Sequence, residues 1–292
     1  MTLWNNYFLP ETVEDAVQLL TAAPSPTRLV AGGTDLLLDL QQGRHAPVAT
    51  LVDITQIPEM CILEVRDGRL FIGAARPLNQ VVAHPLVAWH APALHEAAGL
   101  IGGPQVRNTA TLGGNVAHAL PAADGAIALL ALDALAEVAG PHGRRFAQME
   151  DLYLGPGRSV LAEQSELLVG FHLPLRQPGQ ASAFRRVMRP QGVAIAILNT
   201  AVWLERHEAV IADIHLAVGP AGPRPFRLHQ AEAALRGRPP STAVLEEARQ
   251  ALLGEARFRT SPHRATAEYR RHLSGVLLEE TLTTAWERTF DR

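Results

Sequence analysis

Two short glycine-containing segments constrain this chain more than any other feature of its sequence. They read Ala31-Gly32-Gly33-Thr34-Asp35 and Thr111-Leu112-Gly113-Gly114-Asn115. Glycine lets main-chain N–H groups approach an anion without interference from a Cβ atom. The threonine and asparagine beside it add side-chain donors for phosphate or sugar oxygens. A single Gly-Gly pair is usually a turn, but two such segments with polar neighbours indicate a nucleotide held from two sides.

Both segments also have simpler structural interpretations. The first fits a strand-to-helix turn in which Thr34 or Asp35 caps the helix, and taken alone this interpretation is favoured. It has neither the Gly-Lys-Ser/Thr of a Walker loop nor G-x-G-x-x-G spacing, and the chain contains no lysine that could bind phosphate. Asp124 follows the second segment. Its carboxylate could accept hydrogen bonds from ribityl or ribose hydroxyls, complement a helix dipole, or do both.

Composition limits the classes of function. The chain has 292 residues, of which 47% are hydrophobic and 19% charged, and a net charge of −3. This is ordinary globular composition with room for two or three domains, and it lacks the basic stripe of a nucleic-acid-binding protein. Cys61 is the single cysteine, which excludes an internal disulfide and a cysteine-ligated cluster, and we expect it to be a buried structural thiol.

Other sequence signals predict a cytoplasmic protein. The twelve histidines include no H-E-x-x-H pair, and their spacing indicates scattered side chains rather than a metal site. The N-terminus lacks the layout of a signal peptide. No apolar stretch is long and uncharged enough to predict a membrane span.

We predict three domains, over residues 1–55, 56–176 and 177–292. The first is a βαβ-like module with a helix that begins after Thr12. The second contains a hairpin that starts at Cys61 and turns at Asp67-Gly68, and an apolar helix over about 123–132. A Pro- and Gly-containing stretch at 174–179 precedes the third, where strand-like segments followed by helices are typical of an α+β domain. The predicted strands there cover 194–204 and 210–218, and the predicted helices 228–236, 242–253 and 262–286.

The two glycine segments and five others together resemble one family. The additional matches are residues 8–16 (FLPETVEDA), 51–54 (LVDI), 102–108 (GGPQVRN), 166–174 (ELLVGFHLP) and 268–273 (EYRRHL). In this order, and over essentially the whole chain, the sequence resembles the FAD-binding subunit of the molybdenum hydroxylases. That family includes the medium subunit of carbon monoxide dehydrogenase and the flavin domain of xanthine dehydrogenase.

The resemblance implies an α+β fold of the vanillyl-alcohol oxidase/CO dehydrogenase flavoprotein type. Two N-terminal α/β subdomains would hold an extended FAD, and an α+β C-terminal domain would complete the subunit. The implied partners are a large subunit with molybdopterin and a small subunit with two [2Fe–2S] clusters, assembled as a dimer of heterotrimers. Electrons would pass from the clusters to FAD and on to an external acceptor. No residue of this chain is then expected to be a catalytic acid, base, nucleophile or metal ligand.

The same resemblance assigns cofactor-binding positions. Asp124 matches a flavin-contacting aspartate, and Ile101 lies where xanthine dehydrogenase has an aromatic residue against the flavin ring. Leu168 lies where a main chain meets the ring or its pyrimidine edge, and Arg185 where related domains carry a lysine near the flavin. The matches to the pyrophosphate- and ribityl-binding segments are Ala31, Gly32, Gly33, Thr34, Asp35, Thr111, Gly114 and Asn115.

One departure from the family pattern bears on the electron acceptor. Carbon monoxide dehydrogenase-like subunits carry an Asp-Tyr pair near the positions of Val193 and Ala194, with the tyrosine close to the flavin ring. This chain has neither residue there. The acceptor and the organic substrate of the complex are therefore not predicted. Two alternatives also stay open: a self-contained FAD-dependent oxidoreductase of the same superfold, and a non-catalytic binding protein that has lost FAD.

Overall fold

The computed structural model of the protein describes residues 2–163, 165–189 and 195–291. Its N-terminal part is a three-stranded parallel sheet with two helical crossovers. The elements are β1 (Trp4–Phe8), α1 (Val13–Ala22), β2 (Thr27–Val30), α2 (Leu36–Gln41) and β3 (Val48–Asp53). The central strand β3 pairs with β1 on one side and β2 on the other, so the carboxyl ends of all three strands lie at one edge. Loops at that edge are where α/β sheets bind ligands.

The first helix forms as its sequence predicts. Thr12 is the N-cap of α1, and its Oγ1 accepts a hydrogen bond from the amide of Asp15 at 3.1 Å. Val13 and Ala16 are buried against the sheet. The edge strand β1 was absent from the predicted module because its sequence, WNNYF, has polar residues at its second and third positions.

The middle of the chain is built around a five-stranded antiparallel sheet of order β4-β5-β10-β6-β7, beside a small β8–β9 pair. Two short 3₁₀ helices, Pro58–Cys61 and Met149–Leu152, connect its elements. The elements are β4 (Leu63–Arg66), β5 (Arg69–Gly73), α3 (Leu78–Ala83), α4 (Pro85–His90), α5 (Pro92–Leu100), α6 (Pro104–Arg107), α7 (Leu112–Ala117), α8 (Asp124–Ala131), β6 (Leu135–Gly140), β7 (Gly143–Gln148), β8 (Tyr153–Gly155), β9 (Arg158–Ser159), α9 (Val160–Glu163) and β10 (Leu167–Pro174).

The pattern of buried residues explains why the sequence predicted some of these elements and missed others. Every residue of α8 is buried, which agrees with the predicted apolar helix. The hairpin β4–β5 turns at Asp67 and Gly68, both with positive φ, as predicted. Cys61 was wrongly placed in this hairpin; it ends the preceding 3₁₀ helix, is partly buried, and burial raises the pKa of its thiol. The central strand β10 was not predicted, since seven of its eight residues are buried and no alternation marks it.

The C-terminal part is a three-stranded antiparallel sheet of order β11-β12-β13 packed by helices. Its elements are β11 (Gln180–Val187), β12 (Leu198–His207), β13 (Val210–Gly219), α10 (His229–Leu235), α11 (Thr242–Glu255) and α12 (Ala267–Arg288). The last helix begins later than the predicted 262. Thr266 is its N-cap, and its side chain accepts a hydrogen bond from the amide of Tyr269. Residues before Thr266 form a loop closed by its own hydrogen bonds, so the helical pattern there was wrong.

The buried residues form separate hydrophobic clusters. The largest joins α1 and β3 to the five-stranded sheet and to α3, α5, α7 and α8. A second cluster lies between the C-terminal sheet and helices α10, α11 and α12. The helix α5 packs on β11, which connects the two. The predicted divisions at 55/56 and 176/177 stay predictions.

Candidate functional site

The first glycine segment forms the turn from β2 to α2. Gly33 has a φ of +66°, a left-handed value that favours glycine. Asp35 stands at the N-cap position of α2, but its side chain makes no capping hydrogen bond. No described residue accepts a hydrogen bond from the amides of Gly32, Gly33, Thr34 or Asp35. A run of successive N–H groups without partners is the arrangement that binds phosphate oxygens.

The two glycine segments lie against each other. A Cβ atom built on Gly32 would be 2.1 Å from the carbonyl oxygen of Thr109 and 2.7 Å from the Cα of Ala110. Real Cβ atoms do not come this close to backbone, so only glycine allows the contact. The structure thus brings together the two segments that the sequence predicted to hold one nucleotide.

The second segment forms the start of α7 and is more occupied by internal hydrogen bonds. Thr111 is the N-cap of α7, and its Oγ1 accepts a hydrogen bond from the amide of Gly114 at 3.0 Å. The amide of Gly113 donates to the carbonyl of Ala74 at 2.9 Å, and a Cβ on Gly113 would be 2.6 Å from that oxygen. Its side-chain donors stay available, since neither the Thr111 hydroxyl hydrogen nor the Asn115 side-chain NH₂ donates to a described residue.

Asn115 connects this segment to the first turn of α8. Its Oδ1 accepts a hydrogen bond from the amide of Gly125 at 3.1 Å. A Cβ on Gly125 would lie 2.7 Å from the same oxygen, so a larger residue there would displace the Asn115 side chain. Asp124, the preceding residue, is therefore held beside the second glycine segment.

Asp124 is buried and forms an ion pair with an arginine of the C-terminal part. Its carboxylate contacts the Arg186 guanidinium, and both side chains are only 6% exposed. The Asn199 side chain donates to Asp124 Oδ1 at 2.6 Å and to the carbonyl of Ala122 at 3.2 Å. Burial raises the pKa of the Asp124 carboxyl above its ordinary value, and the attraction of Arg186 opposes this rise. Sequence reasoning selected Asp124 but missed Arg186 and Asn199, because no spacing relates the three.

A cleft of about 400 Å³ lies between α5 and β11, next to this ion pair. Arg185 and Arg186 of β11 line it opposite Gly99 and Leu100 of α5. The Arg185 side chain donates to the Phe184 carbonyl at 2.9 Å and to Thr284 Oγ1 at 3.2 Å. These contacts fix one end of the guanidinium while 37% of the side chain stays exposed.

Glu96 holds the wall of this cleft together. Its Oε2 accepts a hydrogen bond from the amide of Phe184 at 2.7 Å. Its Oε1 accepts a hydrogen bond from Arg288 Nη2 at 2.5 Å and a longer one from Arg185 Nη1 at 3.4 Å. The partly buried Glu96 carboxylate therefore connects α5, β11 and α12. Glu96 had no signal in the sequence, since it lies in an ordinary amphipathic helix.

The last two predicted positions are Ile101 and Leu168. Ile101 directly follows α5, whose last residue Leu100 lines the cleft. The Arg107 side chain donates to the carbonyls of Ile101 and Gly102 and holds that turn. The Leu168 side chain is buried in β10 next to a bulge in the pairing with β6, so it is not exposed to a ligand.

Leu168 is connected to the second glycine segment through a short chain of contacts. Leu168 is next to Val169, whose carbonyl accepts the amide of Ala74, and Ala74 contacts Gly113. The Asp-Tyr departure near Val193 and Ala194 lies outside the described residues. Within the described ranges, no group of three or more His, Cys, Asp or Glu side chains is arranged to hold a metal ion. No helix in those ranges is both long and apolar enough to cross a membrane.

Comparison with known proteins identifies the family. The FAD binding domain in molybdopterin dehydrogenase matches residues 3–176, and the CO dehydrogenase flavoprotein C-terminal domain matches residues 182–285. The chain belongs to the molybdenum hydroxylase flavoprotein family. Its membership confirms the predicted resemblance and FAD as the cofactor of this flavoprotein.

Individual relatives span nearly the full flavoprotein. The chain is 34% identical to the putative xanthine dehydrogenase FAD-binding subunit of Escherichia coli, over 96% of this chain and 95% of the relative. It is 31% identical to the carbon monoxide dehydrogenase medium chain of Hydrogenophaga pseudoflava, over 97% of each. These relatives are oxidoreductase subunits, which confirms the predicted class of enzyme.

Solved structures confirm the predicted fold. Carbon monoxide dehydrogenase from Hydrogenophaga pseudoflava, in a form that lacks the Mo-pyranopterin moiety, superposes with a TM-score of 0.92 at 30% identity, over 99% of each chain. Quinoline 2-oxidoreductase from Pseudomonas putida has a TM-score of 0.88 at 24% identity, over 98% of each chain, and shows the same fold. The flavoprotein therefore has the α+β architecture that its sequence predicted.

Proposed function

We propose that this chain is the FAD-carrying electron-transfer subunit of a multi-subunit molybdenum hydroxylase. In this role it receives electrons from [2Fe–2S] clusters of a partner subunit and passes them to an external acceptor. The observation that carries the proposal is the run of amides from Gly32 to Asp35, which donate to no described residue and lie against the second glycine segment in a chain that matches an FAD domain. Family membership supplies the identity of the nucleotide.

The donor set fits the pyrophosphate of FAD. The amides of Gly32, Gly33, Thr34 and Asp35 would bind its oxygens, and Thr111, Gly114 and Asn115 would border it from the second segment. Backbone donors suit a chain without lysine, because successive main-chain N–H groups bind phosphate oxygens without a charged side chain. The close contact of Gly32 with Thr109 keeps the two segments at a fixed separation.

The remaining predicted residues fit the flavin end of the cofactor. Leu168 would offer main-chain groups to the ring, Ile101 would contact it with an apolar side chain, and Arg185 would place a positive charge beside it from the cleft wall. Asp124 would accept a hydroxyl hydrogen bond with whatever capacity its contacts to Arg186 and Asn199 leave. When bound, FAD supplies the redox chemistry. The chain binds and orients the ring and sets the charge around it.

The proposed assembly contains a molybdopterin-binding large subunit and a small subunit with two [2Fe–2S] clusters, arranged as a dimer of heterotrimers. Relatives named as medium chains of carbon monoxide dehydrogenase support the multi-subunit part of this proposal. The proposed compartment is the cytoplasm, where a chain with one cysteine needs no disulfide. Within the proposal, residues 1–55 and 56–176 bind FAD, and residues 177–292 close the cleft.

The test is purification of the chain from its native source with its associated proteins, followed by absorption spectroscopy and analysis of flavin, iron and molybdenum. The proposal expects FAD with iron, molybdenum and two additional chains. FAD in a lone chain that oxidises a small organic molecule would identify a self-contained flavoenzyme instead. A colourless chain that takes up no added FAD would overturn the site assignment.

A further inference from the structure

An arginine cluster lies in the C-terminal part, on elements other than those that carry the glycine segments. Arg270 lies near the start of α12 and is only 1% exposed to solvent. Its Nε is buried without a hydrogen-bond partner, and no described residue accepts a hydrogen bond from, or pairs in an ion pair with, its guanidinium. Arginine is almost never fully buried unless it is paired. A buried guanidinium without an anion is costly, so its surroundings need an explanation.

The surroundings of Arg270 add positive charge rather than remove it. Arg259 and Arg264 lie close enough to repel it, and burial together with that repulsion lowers its pKa. The side chain of Arg189 donates to the carbonyl of Arg264 at 3.3 Å, which brings a fourth guanidinium to the same loop. None of the four forms an ion pair with a carboxylate in the described part of the chain. The positive end of the 22-residue helix α12 lies here as well.

The loop that carries Arg259 and Arg264 is held in place by its own backbone. The amide of Ser261 donates to the carbonyl of Ala265, and the amide of Ala267 donates to Thr260 Oγ1 at 3.1 Å. The guanidinium groups take no part in these bonds. By contrast, the nearby Arg257 donates to the carbonyls of Gly254, Glu255 and Ala256 and so closes the end of α11. Arg259, Arg264 and Arg270 are therefore not needed to maintain the loop.

We propose that Arg259, Arg264 and Arg270, with Arg189 at the edge, form a binding site for a phosphoryl anion, either free phosphate or a phosphoryl group of a nucleotide. Guanidinium groups bind phosphate oxygens in a bidentate manner and remain charged when buried. Four positive charges exceed what one carboxylate would neutralise and suit a multiply charged anion. Arg270 forms the base of the site, and the exposed Arg259 and partly exposed Arg264 form its entrance.

The test is calorimetric titration of the full chain saturated with FAD, first with inorganic phosphate and then with ADP, at constant ionic strength set with chloride. FAD saturation keeps the glycine segments from binding either probe. The proposal expects saturable binding that the Arg259→Gln/Arg264→Gln double variant weakens at least about tenfold. Arg271→Gln, on the exposed side of the same helix, is the matched control and should bind normally. Tighter binding of ADP than of phosphate would identify a nucleotide as the source, and equal binding would identify free phosphate.

Arg270→Gln gives an independent readout through thermal unfolding. Because it removes an unpaired buried charge, the variant should melt at a higher temperature than wild type in chloride buffer and should lose the stabilisation by phosphate. A lower melting temperature in chloride with the phosphate effect intact would show a structural role and overturn the proposal. Absence of saturable binding by either probe, or equal binding by the double variant, would overturn it as well. Binding of an acidic peptide in place of both probes would also do so.

Discussion

The backbone of Gly32 packs directly on the carbonyl of Thr109, with 2.1 Å between a built Cβ and that oxygen. This contact fixes the separation of the two segments assigned to FAD. It also means that residue 32 can acquire no side chain without moving backbone on one side or the other.

We therefore expect Gly32→Ala to weaken FAD binding about tenfold to a hundredfold. The methyl group would displace the first segment and misplace at least one amide, and a hydrogen bond to a charged acceptor contributes about 1.5–3 kcal/mol. The measurement is a fluorescence titration of the flavin-free chain with FAD. Gly254→Ala is the control, because no atom lies within 4 Å of a Cβ there. Equal FAD affinity of Gly32→Ala and wild type would contradict the assignment of this segment.

The buried ion pair of Asp124 and Arg186 connects the middle and C-terminal parts of the chain, and we expect it to contribute strongly to the free energy of unfolding. Asp124→Leu leaves the Arg186 guanidinium buried without its carboxylate, which typically costs about 3–5 kcal/mol of unfolding free energy. The double variant Asp124→Leu/Arg186→Met removes both charges and should recover much of that loss. Urea unfolding of the two single variants and the double variant measures the coupling. Strictly additive losses would show that the pair contributes no coupling energy.

The sequence predicted local elements well, and the structure places the two glycine segments against each other, but the contacts between distant elements were not predicted. Thr12 is the N-cap of α1 as predicted, because the capping bond is local and such bonds leave a signature within four residues. The pairing of Asp124 with Arg186 and Asn199, and the three contacts of Glu96, depend on how β11 and β12 lie against α5 and α8. Nothing in the spacing along the chain encodes that arrangement. The strand β11 itself was not predicted, which removed the element that carries both arginines.

The same limit applies to Arg270. In the sequence it belongs to the motif EYRRHL and is indistinguishable from its neighbour Arg271. In the structure Arg270 is buried and Arg271 is exposed, because α12 turns one face toward the C-terminal sheet. The sequence therefore cannot show that Arg270 is a buried charge without an ion-pair partner among the described residues, because this depends on which face of α12 packs on the sheet.

Glu232 should make the C-terminal part sensitive to acid. Its side chain is 2% exposed and accepts hydrogen bonds from the Leu216 amide at 2.8 Å and from both Nε and Nη2 of Arg227. Burial alone would raise the pKa of Glu232, but these hydrogen bonds and the charge of Arg227 outweigh it and hold the pKa below its ordinary value of 4.5. A carboxyl group whose pKa is lower in the folded chain stabilises it above pH 4.5, and this contribution is lost as the pH falls through the folded value.

We expect Glu232→Gln to be less stable than wild type at neutral pH and to show a flatter dependence of stability on pH below 4.5. The measurement is urea unfolding at a series of pH values. Glu279→Gln, at an exposed position of α12, is the control and should retain the wild-type dependence. Parallel curves for wild type and Glu232→Gln would show that acid sensitivity arises elsewhere.

Arg185 should tune the reduction potential of the bound flavin, if the cleft between α5 and β11 receives the ring as proposed. A nearby positive charge favours the more negatively charged reduced cofactor, so Arg185→Gln should lower the midpoint potential. The contacts to Phe184 and Thr284 hold the guanidinium at the cleft wall, but its partial exposure weakens the interaction. An interaction of about 1–3 kcal/mol corresponds to a shift on the order of 20–60 mV for two electrons.

Potentiometric titration followed by flavin absorption measures this shift. Arg238→Gln, which breaks the exposed pair with Glu247 and a hydrogen bond to the Ala234 carbonyl, should leave the potential unchanged. If Arg185→Gln instead binds FAD normally and keeps the wild-type potential, the flavin ring does not lie beside this arginine, and the cleft has another occupant.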